Sequence, residues 1–164
     1  MVLLTPHFSI EEFTQSHHGI YNDCPISLAA NLVQTGQKAE EARGILSEQA
    51  ARECTLRVAY GYRCEAENEA CGGSPTSAHC EGLAVDLVPN PDLFHLRQAF
   101  EVLAQHPTFM ADVDQLIIER GCLHIGLPTS RHNFVPRHEL RGDSDVDGHR
   151  TYPLLGIWTP PSGQ

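Results

Sequence analysis

Cationic side chains are scarce in this chain. Its 11 lysines and arginines stand against 21 aspartates and glutamates, for a formal net charge of −10. Nucleic acid demands clustered cations for its phosphates, so no nucleic-acid partner is expected. Adsorption to anionic membrane surfaces is disfavoured for the same reason. Long apolar runs are missing too, and nothing approaches the ~20 residues that a membrane-spanning helix needs. The opening Met1-Val2-Leu3-Leu4-Thr5-Pro6 has no basic segment and only a short apolar one. It does not read as a secretory signal peptide, so synthesis in the cytoplasm is the expectation. None of the six cysteines forms a CxxC pair, which argues against a four-thiolate zinc site. In a chain without a signal peptide they read as thiols rather than a disulfide frame. Cys64–Cys71 and Cys71–Cys80 stay open as pairings.

What the chain does contain is an ordinary globular composition, 41% hydrophobic and 20% charged over 164 residues. That length supports one domain with a real core, expected over residues 1–158 with a loose tail at 159–164. Ser9 followed by Glu12 is a capping box, with Phe8 placed to staple onto Phe13, and predicts a helix running toward Gly19. A long amphipathic helix is predicted from Ser27, with Leu28, Leu32, Thr35, Ala39, Ala42 and Leu46 on its core face. Strands are predicted at Cys54–Tyr60 and Leu83–Val88, and a short helix from Glu65 stopped by Gly72-Gly73. Asp92 is expected to cap a helix with Leu93, Leu96, Phe100 and Leu103 inward. Asp114–Glu119, Arg120-Gly121 and Cys122–Leu127 read as a hairpin with a two-residue turn. Helices first and hairpin-connected strands later predict an α+β domain.

The chemistry concentrates in Ser77-Ala78-His79-Cys80-Glu81-Gly82-Leu83-Ala84-Val85-Asp86-Leu87. Asp86 falls in an apolar strand, where a carboxylate is costly to bury without a positive partner. A divalent ion is such a partner, with His79 as a second ligand and His124 as a third from another strand. Two histidines, one carboxylate and an open fourth position form a recurrent catalytic zinc arrangement. If Arg120-Gly121 is the turn, Glu119 pairs with Cys122 and lies on the diagonal from His124 on the same face. A carboxylate roughly 5–7 Å from a metal ligand is placed to act on water there, which nominates Glu119 as general base.

Several further pieces carry a resemblance: Phe8-Ser9-Ile10-Glu11-Glu12-Phe13-Thr14, Gly61-Tyr62-Arg63, Asn68, Gly72-Gly73-Ser74, Ser77 with His79, Gly82 with Ala84 and Asp86, Asp114-Gln115-Leu116-Ile117 and Leu123-His124-Ile125. Together they resemble the zinc peptidases of the D-Ala-D-Ala carboxypeptidase and phage endolysin type, and most of all a phage-like subgroup. The resemblance implies a hedgehog/DD-peptidase-like α+β fold, a central antiparallel sheet with helices packed on it. It also implies Zn2+ held by His79, Asp86 and His124. Arg63 would polarise the scissile carbonyl, and Ser77 would touch substrate. The implied partner is a peptidoglycan peptide, cut by a monomer acting on the bacterial cell wall during phage lysis or from the virion. Two positions depart from the family pattern. Gly121 stands where many relatives carry an acidic base three residues before the last zinc histidine, and Cys122 stands where a tryptophan is usual.

Two other readings use the same residues. One is a non-catalytic, zinc-stabilised structural or wall-binding module of a phage particle, favoured by Gly121. The other is a D,D-dipeptidase with a smaller pocket. Asp143-Ser144-Asp145-Val146-Asp147-Gly148 matches half of a calcium loop, but Leu154 occupies the position of its bidentate glutamate, so a polar turn is expected. Cys80 and Cys122 are soft donors near the metal residues. His17, His18 and the histidines at 7, 95, 106, 132, 138 and 149 show no ligand spacing and receive no role.

Overall fold

The structure is a computed structural model that describes residues 2–142, 144–146, 149–151 and 153–160. Asp143, Asp147 and Gly148 of the calcium-loop-like segment and residues 161–164 of the expected tail lie outside the described residues.

The first helix, α1 (Ile10–Phe13), has the capping box that its sequence predicts: Ser9 and Glu12 bond reciprocally, and Phe8 meets Phe13 edge to face at 6.0 Å. It is one turn long rather than reaching Gly19: Thr14 leaves the helical conformation while its N–H still bonds the Ile10 carbonyl, and its own carbonyl accepts from the Asn22 side chain. A single 3-10 turn (Ile26–Leu28) leads into α2 (Ala29–Ala50). Its buried stripe is Leu32, Thr35, Gly36, Lys38, Ala39, Ala42 and Leu46. Lys38 is the unexpected member. Its ammonium is held by Glu41 at 2.6 Å, Asp112 at 2.5 Å and the Phe109 carbonyl at 3.2 Å, which supplies the partners a buried charge requires.

Next come β1 (Leu56–Tyr60), α3 (Glu65–Ala70), a 3-10 turn (Ala78–Glu81), β2 (Ala84–Pro89), α4 (Leu96–Ala104) and α5 (Pro107–Met110). The cap of α4 is His95, whose backbone N–H donates to Gln98, not Asp92. The strands β3 (Gln115–Glu119), β4 (Cys122–Gly126), β5 (Glu139–Arg141) and β8 (Leu154–Ile157) complete a six-stranded sheet in the order β1-β2-β4-β3-β5-β8. A two-stranded ribbon, β6 (Ser144–Val146) and β7 (His149–Thr151), stands apart.

The α+β class holds, with one correction. The sheet is mixed, not antiparallel throughout, because β5 runs parallel to β3. The connection from 127 to 138 is long enough to carry the chain back to the start of β3. There Asp114 fixes it: the carboxylate accepts from the Arg137 backbone N–H at 2.7 Å and from two nitrogens of its guanidinium.

Side chains alternate across a strand, so the sheet has two faces with different work. Leu56, Val58, Val85, Leu87, Leu116, Leu123 and Ile125 point into one core with α2, α4 and α5. Each such fully buried side chain contributes about 1.5–3 kcal/mol. Arg57, Ala59, Asp86, Val88, Gln115, Ile117, Glu119, Cys122 and His124 line an open cleft on the opposite face. The aliphatic neighbours of Asp86 thus make the core, while Asp86 itself turns toward the cleft.

Candidate metal centre and its cleft

Register brings the site together. Asp86 on β2 is the direct antiparallel partner of His124 on β4, and His124 is in turn the partner of Ile117 on β3. Directly opposed residues share a face, so the acid and the imidazole meet. His79 arrives from the 3-10 turn just before β2. Ser77 caps that turn by accepting the His79 backbone N–H, and Gly82 ends it in a left-handed conformation.

The three donor atoms form a near-equilateral triangle. His79 Nε2 lies 3.2 Å from His124 Nδ1 and 3.3 Å from Asp86 Oδ1, and His124 Nδ1 lies 2.9 Å from Asp86 Oδ1. Zinc–ligand bonds of about 2.0–2.1 Å at tetrahedral angles put neighbouring donors about 3.3 Å apart. The triangle therefore fits one face of a zinc tetrahedron. The far side of the His79 ring supports this. Its Nδ1 sits 2.6 Å from the Gly61 carbonyl, so Nδ1 carries the proton and Nε2 offers its lone pair.

All three residues are buried. Burial holds His79 below the ordinary histidine value and so keeps it neutral, as a ligand must be. For His124 burial pulls the same way, but the hydrogen bond and charge of Asp86 outweigh it and raise the pKa. Asp86 is held well below the usual carboxylate range: burial opposes ionisation, and the two histidines overcome it. A permanent anion between two imidazoles is the charge pattern that a divalent cation completes.

Glu119 stands where the hairpin argument puts it. The pairs Glu119↔Cys122, Ile118↔Leu123 and Ile117↔His124 are all present. Arg120 and Gly121 both have positive φ, 44° and 82°, as a tight two-residue turn of this twist demands. Gly121, the departure from the family pattern, is thus turn backbone. Glu119 Oε1 lies 3.8 Å from His124 Nδ1. Burial pushes the Glu119 pKa up, toward the range useful to a proton acceptor.

Arg63 follows β1. Its backbone N–H donates to the His79 carbonyl at 3.2 Å, and its Nη2 donates to Ser77 Oγ at 3.3 Å. Its Nε is buried with no hydrogen-bond partner, and the side chain stacks over the Tyr60 ring. Arg63, Ser77, His79, Asp86, Glu119 and His124 all line one cleft of about 1130 Å³.

Cys122 Sγ donates to the Glu119 carbonyl at 3.0 Å, and neither it nor Cys80 belongs to the donor triangle. All six cysteines are free. One donor group went unread in the sequence: His18, Glu67 and Cys71 also converge. Their separation along the chain hides the grouping, although Glu67 and Cys71 sit one helical turn apart.

A buried His/Asp/His donor set at the floor of an open cleft, on a mixed sheet backed by helices, suits a metal-dependent hydrolase. The chain belongs to the Peptidase M15 family, whose pattern it matches over residues 6–114. That stretch includes Arg63, Ser77, His79 and Asp86 and ends before Glu119 and His124, which the hairpin delivers to the same place. No curated protein matches the chain. Among the described residues, no helix is long and apolar enough to cross a membrane.

Proposed function

We propose that this M15 metallopeptidase is a zinc-dependent hydrolase of peptide bonds in bacterial peptidoglycan, encoded by a phage and acting on the cell wall. The observation that carries the reading is the tetrahedral spacing of His79 Nε2, Asp86 Oδ1 and His124 Nδ1 beside Glu119 and Arg63. The cleft exceeds the roughly 300–1,000 Å³ of drug-sized ligand pockets. That volume leaves room for a branched peptide stem beside the donor triangle, which favours that substrate over a free dipeptide.

His79, Asp86 and His124 hold the ion in this reading. Bound zinc supplies Lewis-acid polarisation of the scissile carbonyl and lowers the pKa of water in the site. Glu119 takes the proton from the attacking water and returns it to the leaving amine, a role its raised pKa suits. Arg63 presents a permanent positive charge to the developing oxyanion. Ser77 holds Arg63 through Nη2 and offers its hydroxyl to the peptide.

Clearing of purified peptidoglycan by the zinc-loaded chain, with loss on chelation and in Glu119→Ala, tests this directly. Metal retained in Glu119→Ala while clearing is lost supports the assigned base. Zinc bound at the triad with no clearing by the wild-type chain favours the non-catalytic module instead.

A further inference from the structure

We propose that His18, Glu67 and Cys71 form a second transition-metal site, on the wall of the same cleft and independent of the peptidase reading. Glu67 Oε1 lies 3.0 Å from His18 Nδ1, and Cys71 Sγ lies 3.9 Å from that nitrogen and 4.0 Å from that oxygen. With zinc bonds of about 2.0–2.1 Å to nitrogen or oxygen and 2.3 Å to sulfur, tetrahedral edges are about 3.3 Å without sulfur and about 3.6 Å with it. The observed triangle has the same shape, its two longer sides both at the sulfur.

The group is built rather than incidental. Glu67 is fully buried, and Cys71 follows it by one turn at the end of α3, on the same helix face. The carboxylate is locked by the Ser16 hydroxyl at 2.7 Å and the His17 backbone N–H at 3.0 Å. Those bonds hold the 16–18 segment against α3. His17 adds a bond from Nε2 to the Ala59 carbonyl at 2.7 Å and lies against the Tyr60 ring. His18 and Cys71 both border the cleft, so an ion reaches them from solvent.

Sulfur, imidazole and one carboxylate select a borderline cation such as Zn2+ over Mg2+ or Ca2+. On binding, the Cys71 thiol gives up its proton to solvent. His18 ligates through an unprotonated Nδ1, so its ring carries its proton on Nε2 in the bound state. The thiolate and the carboxylate then balance the two charges of the cation. The ion ties the 16–18 segment to α3 and presents an open coordination position to the cleft.

Cobalt chloride titrated into the metal-stripped full chain is the probe, followed by metal content and by the near-ultraviolet thiolate-to-cobalt band. The expected result is a second equivalent of cobalt whose binding brings up that band. Cys71→Ser abolishes the band and the second equivalent, while His124→Ala removes the other equivalent and leaves the band. His18→Gln, at an exposed residue, weakens the band's titration by roughly tenfold or more. A wild-type chain with no thiolate band, or a band that survives Cys71→Ser, overturns the proposal. Loss of clearing in His124→Ala speaks only to the peptidase reading.

Discussion

Gly61→Ala tests how the first ligand is held. A Cβ at Gly61 would lie 2.7 Å from Phe13 Cα and 2.9 Å from its carbonyl carbon, and would overlap its carbonyl oxygen. These are backbone atoms of a fully buried residue, so no side chain can swing aside. The two segments must separate, which overpacks the core at about 1–3 kcal/mol. Separation also strains the bond from the Tyr62 N–H to the Phe13 carbonyl, 2.7 Å long and worth about 1 kcal/mol. The sum, about 2–4 kcal/mol, corresponds to a drop in Tm of about 5–15 °C for a domain of this size. The same shift moves the Gly61 carbonyl away from His79 Nδ1, and losing such an outer partner lowers metal affinity about 10–100-fold. Thermal melts of the metal-free variant and competition against a chromophoric chelator measure the two effects separately. A variant that melts with wild type and binds zinc equally well refutes the claim that Gly61 is where α1, β1 and His79 are locked together.

Glu119→Gln should cut peptide hydrolysis by about 10²–10⁴-fold while zinc content stays at the wild-type level; loss of zinc would mean that the carboxylate serves binding instead. Zinc affinity should fall with decreasing pH from above the ordinary histidine value of about 6.5, because Asp86 raises the His124 pKa and a proton on Nδ1 excludes the ion. Equal chelator competition at pH 8 and pH 6 would contradict that. Metal-free chain should lose stability as acid protonates Asp86. Its folded pKa is depressed, so its contribution is complete above about pH 4 and fades below, visible as a urea midpoint that Asp86→Asn makes less pH-dependent in that window. Asp114→Asn should lower stability by about 2 kcal/mol, since the Arg137 guanidinium that it releases is partly solvated, and urea melts read it directly.

The hairpin was the most legible part of the chain. A two-residue turn with glycine leaves one register, and that register determines which residues share the face of the donor triangle. Asp86 was legible for a related reason: an acid amid Val85 and Leu87 asks for a cation whichever strand lies beside it. The capping box and the stripe of α2 are local patterns: the box appears as read, and the stripe does from Leu32 to Leu46, with Gly36 and Lys38 added to it and Leu28 left in the 3-10 turn before the helix. The failures are long-range or involve competing caps. The parallel β3–β5 pair depends on Asp114 reaching Arg137, 23 positions later, and no periodicity announces such a bond. His95 displaces Asp92 as a cap because Gln98 answers it. His18 lies about 50 residues from Glu67 and Cys71, beyond any spacing rule, although the helical Glu67–Cys71 interval was visible.

An anomalous-difference map at the zinc edge, from crystals grown with zinc, tests the centre most directly. The expected peak lies about 2.0–2.1 Å from His79 Nε2, Asp86 Oδ1 and His124 Nδ1, with its fourth position open to the cleft. No density among those three atoms, or a fourth protein atom such as Cys122 Sγ closing the shell, would contradict it.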